Sequence, residues 1–164
     1  MKQFVLCCAA ALICGGTPAA QQGGQTAAHN HDKMMERGQE GMGFSQTATT
    51  HHFLLQKAGG SIQVTANNPK DAATRDEIRM HLQHIAHLFS AGDFDIPMFV
   101  HDQMPPGAAE MKKCKGEIRY QYVELPEGGK VVMSGSNPSA VAAIQKFLRF
   151  QIEEHQTHDP EKVK

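Results

Sequence analysis

Between Asn68 and Phe94 the chain reads NPKDAATRDEIRMHLQHIAHLFSAGDF, and Ile78, Leu82, Ile85 and Phe89 recur at helical spacing as one apolar stripe. Asn68 and Pro69 supply an N-cap and a first helical residue, and Ser90-Ala91-Gly92 supplies the stop. Upstream, His51 to Lys57 and Ser61 to Ala66 read as strands around an Ala58-Gly59-Gly60 turn, with Ile62 and Val64 on one side. Downstream the same order returns. Ile118, Tyr120 and Tyr122 alternate on one strand, Pro126-Glu127-Gly128-Gly129 turns, Lys130 to Ser134 runs back, and Asn137-Pro138 opens a helix to about Gln156.

The halves correspond through Gly59-Gly60 with Gly128-Gly129, Asn68-Pro69 with Asn137-Pro138, and, with one residue of slippage in the helix, Ile78-Arg79-Met80 with Leu148-Arg149-Phe150. The pattern predicts an α+β fold of two ββα repeats. One four-stranded antiparallel sheet would carry both helices on a single face. The predicted core is Phe53, Leu55, Ile62, Val64, Ile118, Tyr120, Tyr122, Val131 and Met133 against Ile78, Leu82, Ile85, Val141, Ile144 and Leu148. The open face carries His52, Gln56, Gln63, Thr65, Arg119, Gln121, Lys130 and Ser134. The connection DIPMFVHDQMPPG reads as irregular, with a short strand at Met98 to Val100, and a short helix follows from about Ala108 to Lys115.

The ends of the chain are of different character. Residues 1–20 have the order of a secretory signal peptide: Lys2, an apolar run from Phe4 to Cys14, and small residues up to Ala20. Export with cleavage near Ala19 or Ala20 is expected, to the periplasm or the exterior. Cys14 follows Ala11-Leu12-Ile13, but Ile13 is larger than a lipobox tolerates, so cleavage is expected over a lipid anchor. Residues 21–49 are polar and glycine-dotted, the composition of a mobile arm. The single folded domain spans 50–160 and a tail spans 161–164. After cleavage Cys114 is the lone cysteine, so no disulfide within the chain is available. Charge is near balance, at −1 with histidines neutral, and gives no footprint for nucleic acid; no later segment is apolar enough to span a membrane. A homodimer is compatible with the sequence.

Candidate chemistry rests on ten histidines. His81, His84 and His87 are three residues apart on the first helix, spiralling from the edge of the apolar stripe towards solvent, and neighbouring pairs can chelate one ion. Met80, His84 and His87 form a strip of soft nitrogen and sulfur donors. The remaining ligands would come from His101, Asp102 and His155, which the fold brings to the same end. The arm adds His29, His31, Met34, Met35 and Met42, a set suited to copper. The plain alternative is a set of solvated or core-edge histidines, and His51, in phase with Phe53 and Leu55, reads as one of these. Phosphate loops, zinc-protease helices, Cys-x-x-Cys and nucleophile elbows are absent from the sequence.

TTHHFLL (49–55), EIRMHLQHIAHLF (77–89), FDIPMFVHDQMPPG (94–107) and KFLRFQIEEHQTHDP (146–160) together resemble a family of small exported bacterial proteins of unassigned function. The resemblance implies a signal peptide followed by one small α+β domain. Members carry a transferred name of aspartate carbamoyltransferase, which this chain does not support. It is about half a catalytic subunit of that enzyme and lacks its Ser-Thr-Arg-Thr phosphate-binding run. The expected function is an exported binding protein for copper, zinc or another transition metal. Two other readings remain, a metal-free interaction domain and a small enzyme using His101 with Asp102.

Overall fold

The structure is a computed structural model that describes residues 22–163, with side chains in the first helix described from His31 onward. The expected signal peptide lies outside the described residues. Strands β1 (Thr49–Gln56), β2 (Gly59–Ala66), β3 (Ile118–Leu125) and β4 (Gly128–Gly135) form one antiparallel sheet in the order β1-β2-β4-β3. Helix α1 is Gln22–Met42, α2 is Ala72–Ala91, α3 is Asp95–His101, α4 is Ala108–Lys113 and α5 is Pro138–Glu154. The predicted α+β architecture, with both repeat helices on one sheet face, is the observed one.

In the two central strands Ile62 pairs with Val131, which is also its counterpart in the repeat. The pseudo-twofold axis therefore crosses the sheet between these residues. Symmetric hydrogen bonds lock the hairpins: Ala66 N donates to Glu127 O at 2.9 Å, and Gly135 N to Ala58 O at 2.8 Å. Each helix lies mainly over the other repeat's hairpin, α2 on β3 and β4, α5 on β1 and β2. Arg79 Nη2 donates to Leu125 O at 2.8 Å in the second hairpin, and Gln145 Nε2 donates to Gln56 O at 3.0 Å in the first. The counterpart of Arg79 is thus Gln145, not Arg149. Leu82 packs where a Cβ on Gly129 would sit and Leu148 where one on Gly60 would sit, which fixes the same helix register.

Several local expectations change. Both turns end two residues earlier than expected, at Lys57-Ala58 and Pro126-Glu127, and the glycines lie inside β2 and β4. They are there for close approach: a Cβ on Gly60 would collide with Leu54 O, and one on Gly128 with Val64 O. Helix α2 is capped by Asp71, whose carboxylate accepts from Thr74 N at 3.1 Å, while Asn68 caps only the preceding bend. Helix α5 starts at Asn137-Pro138 as predicted. The segment expected to contain a strand at Met98 to Val100 is helix α3. Pro97 sits in its first turn, where a missing N–H costs nothing.

The expected mobile arm contains helix α1, docked on α3. Met34 is buried, Arg37 Nε donates to Val100 O at 2.9 Å, and Gln46 Nε2 donates to Met35 O at 2.9 Å. Glycine content here reads as looseness in the sequence, but Gly38 is buried against Gln46 with no space for a Cβ. Among the described residues, no helix is long and apolar enough to cross a membrane.

After α5 the chain turns through Gln156 (φ 51°) and His158 (φ 58°), a left-handed backbone costly for non-glycine residues. It brings Asp159 to the outer edge of β1, where its carboxylate accepts from Phe53 N at 2.9 Å and pairs with His52 Nδ1 at 2.8 Å. An edge strand offers unpaired amides to other chains, and this clamp occupies one. Asp159→Ala is expected to cost about 2–3 kcal/mol, the range for lost hydrogen bonds to a charged group. Urea denaturation measures the loss. Hydrogen exchange should localise it, with Phe53 N–H among the accelerated amides.

Candidate functional site

One cavity of about 60 Å³ opens between α2, α5 and α3 over the β1–β2 half of the sheet. It has room for a few water molecules or for one ion, far less than the several hundred Å³ of a site for an organic ligand. Its walls are apolar except at His51, His81, His101, Gln151 and His155, and Met42 of α1 adds a thioether.

These polar positions are where one half of the molecule departs from the other. With strands and helices superposed as the pairing and packing dictate, His51 stands where the other repeat has Tyr120, and His81 where it has Phe147. In the same frame Gln151 stands opposite Ile85 and His155 opposite Phe89. All four polar exchanges face one cavity. A tyrosine, a phenylalanine or an isoleucine takes each of these positions in the other repeat, so the fold does not itself require imidazole or amide there.

His155 is the hub. Its ring centre lies 5.1 Å from that of His101, edge to face, and 5.8 Å from that of His51, nearly parallel. Its pKa is held well below the ordinary histidine value, first by burial and then by the neighbouring His51, His101 and His31. His51 is lowered to about 4 by burial and by His52; His81 is lowered to about 4 by burial, His51 and His84. Burial also lowers His101, against the opposing pull of Gln151 and Glu154. The pocket imidazoles are therefore neutral at pH 7, the form in which histidine donates a lone pair to a metal.

Hydrogen bonding leaves donor nitrogens spare. His101 Nε2 meets Gln151 Oε1 at 3.0 Å, which fixes the ring with Nε2 protonated and a lone pair on Nδ1. That Nδ1 is buried without a hydrogen-bond partner, 3.7 Å from Glu154 Oε2. His51 Nε2 and His31 Nδ1 are likewise buried and unpartnered. A buried polar atom left unsatisfied costs about 1–3 kcal/mol, and His51 Nε2, His101 Nδ1 and Gln151 Nε2 are three such atoms on this cavity, for a ligand or solvent to serve.

Of the residues singled out from sequence, His81, His101 and His155 line this cavity. His84, His87 and Asp102 are exposed and do not join them. Asp102 is the left-handed cap of α3 (φ 54°), and its buried neighbour His101 faces Gln151 and Glu154 instead. The acid and base pair considered for an enzyme is therefore not assembled. His51 and Gln151 were missed by periodicity alone, because core-side polar residues read as edge positions; the comparison of repeats singles them out. Among the described residues no group of three or more His, Cys, Asp or Glu side chains is placed to hold a metal ion.

The chain was compared with family models, curated proteins and solved structures, and none of them matches it.

Proposed function

We propose that this chain is an exported binding protein for a late transition ion, copper or zinc, taken up by the imidazoles of His101, which is buried, and of His51 and His155, which are half-buried. The observation that carries this reading is the pair of buried, unpartnered nitrogens, His51 Nε2 and His101 Nδ1, on either side of His155. At metal–nitrogen distances of about 2.0–2.1 Å, two imidazoles sharing a tetrahedral ion have ring centres roughly 5 Å apart. The two observed separations, 5.1 and 5.8 Å, lie near that value for two of the three ring pairs. Neutral imidazole suits copper and zinc, and the signal-peptide pattern of residues 1–20 supports a role outside the cytoplasm.

Calorimetric titration of the full chain with Zn(II), Cu(II) and Cu(I) tests the proposal. One equivalent should bind and raise the melting temperature. His51→Ala and His101→Ala should each weaken binding at least tenfold, while His84→Ala and His87→Ala leave it unchanged. Binding lost in His84→Ala but retained in His51→Ala would move the site to the exposed face of α2. The second reading, a metal-free interaction domain, is favoured by the exposure of Met98, Phe99 and Met104 along and just after α3. A folded chain that takes up none of the three ions would leave that reading standing.

A further inference from the structure

We infer that the ion of this pocket is taken up together with a small anion, which the side-chain amide of Gln151 holds at a coordination position the imidazoles leave open. The inference rests on the transition-ion reading above and names the second ligand of that site. Gln151 is 4 % exposed and lines the cavity. Its Oε1 accepts from His101 Nε2 at 3.0 Å, and its Nε2 is buried without a hydrogen-bond partner. An amide NH2 donates hydrogen bonds and offers no lone pair, so a cation cannot serve it. Whatever meets it in the cavity must be an acceptor. The other repeat has Ile85 at this position, so the amide is not a requirement of the fold.

Charge points the same way. The described residues that line the cavity include no carboxylate; imidazoles, one amide, a thioether and apolar side chains make up its walls. Glu154, whose Oε2 lies 3.7 Å from His101 Nδ1, is not part of that lining and reaches solvent. Three neutral imidazoles bring no charge to compensate a divalent ion, and an uncompensated charge in an apolar site is strongly disfavoured. An anion on the ion supplies that compensation, and a hydrogen bond from Gln151 to an ionised acceptor is stronger than one to a neutral group. Three protein ligands with one exogenous ligand make an open tetrahedral site. The size of the cavity sets the class of anion. At about 60 Å³ it takes an ion with a ligand of a few atoms, such as hydroxide, a halide, azide or formate, and excludes larger organic acids. Gln151 is thus a positioning residue for His101 through its oxygen and a binding residue for the anion through its nitrogen.

Azide is the probe. In chloride-free buffer it is titrated into the full chain loaded with Zn(II), by calorimetry, and loaded with Cu(II), by absorption, for the native sequence, Gln151→Leu and Gln151→Glu. The native chain should bind one azide per ion. Gln151→Leu should still take up the ion, with azide binding weakened at least tenfold. Gln151→Glu keeps an acceptor for His101 Nε2 and replaces the amide hydrogens with a negative oxygen, so it should hold the ion and exclude azide. A purely structural role for Gln151 would not separate ion from anion in this way. Where Gln151→Leu fails to fold or to load, the native titration and Gln151→Glu decide. Native azide affinity in either loaded variant, or a loaded native chain that binds no azide, would overturn this inference and leave the ion site standing. Failure of the native chain to take up Zn(II), Cu(II) or Cu(I) would overturn both.

Discussion

Taking the metal-free chain from pH 7 to pH 5 is expected to remove about 4 kcal/mol of folding stability, roughly half of what a domain this size typically has. The loss comes from imidazoles that burial keeps neutral. His51 and His81 titrate near 4 when folded and near 6.5 when unfolded. The unfolded chain therefore binds more protons throughout the interval between those values. A depressed folded pKa gives stability that is present in full above about 6.5 and is lost as pH falls towards 4. At pH 5 each of these two groups accounts for about 2 kcal/mol. His155 and His101 are shifted the same way and add to the effect. The melting temperature should drop by roughly 10–20 °C. Urea midpoints at the two pH values give the measurement, and a flat profile between them would mean that water reaches the rings and hydrates their charged forms. Bound ion should oppose the fall at pH 7 to 6 and be released below it, because protons and metal compete for the same lone pairs.

Much of the architecture was legible because both repeats write it in the plainest periodicities available, two for the strands and 3.6 for the helices. Ile62 and Val64 on β2, Val131 and Met133 on β4, and the stripe Ile78, Leu82, Ile85 and Phe89 all point where that reading places them. The helix register was not legible from matched motifs. The connection into α5 is shorter than the one into α2, so an alignment carried through from the strands pairs Arg79 with Leu148, and matching the motifs with one residue of slippage, Arg79 with Arg149, moves further from the observed partner Gln145. Contacts decide it: Leu148 lies over Gly60 and Leu82 over Gly129. Helix α1 escaped notice because its packing residues are methionine and glycine, Met34 and Gly38, whose burial depends on Gln46 and α3 rather than on any local signal.

The candidate site was half legible for the same reason. His81, His101 and His155 stand out as histidines that the fold brings to one end, but the attraction of a regular His-x-x-His-x-x-His row drew His84 and His87 in with them. A helix that buries one stripe turns the next positions to solvent, and these two are exposed. What marks the pocket in the sequence is the difference between the halves. Wherever one repeat has Tyr120, Phe147, Ile85 or Phe89, the other places His51, His81, Gln151 or His155. Exchanges of this kind at scattered core positions would each be a local accident of packing. Four of them around one small cavity are what the proposed site rests on, and they weaken the core, since every buried imidazole nitrogen lacking a partner lowers stability.

That cost makes the last prediction a reversal of the usual sign for a core substitution. His155→Phe, which copies into the second repeat the residue that the first carries as Phe89, is expected to stabilise the metal-free chain by about 1–2 kcal/mol at pH 7. The phenyl ring replaces a group whose ionised form the pocket rejects, it meets Phe53 at the contact His155 now makes (ring centres 5.3 Å apart), and the adjoining cavity takes up its extra volume. The gain should widen at pH 5, where the native chain bears the cost of one more buried imidazole. Ion binding should vanish, because His155 is the ring that His51 and His101 share. Thermal melts at both pH values, each with and without Zn(II), separate the two effects. A more stable protein that no longer responds to the ion would show stability and binding to be in opposition at this residue. A less stable one would mean instead that the stacked rings of His51, His101 and His155 hold the two repeats together, and that the pocket belongs to the core.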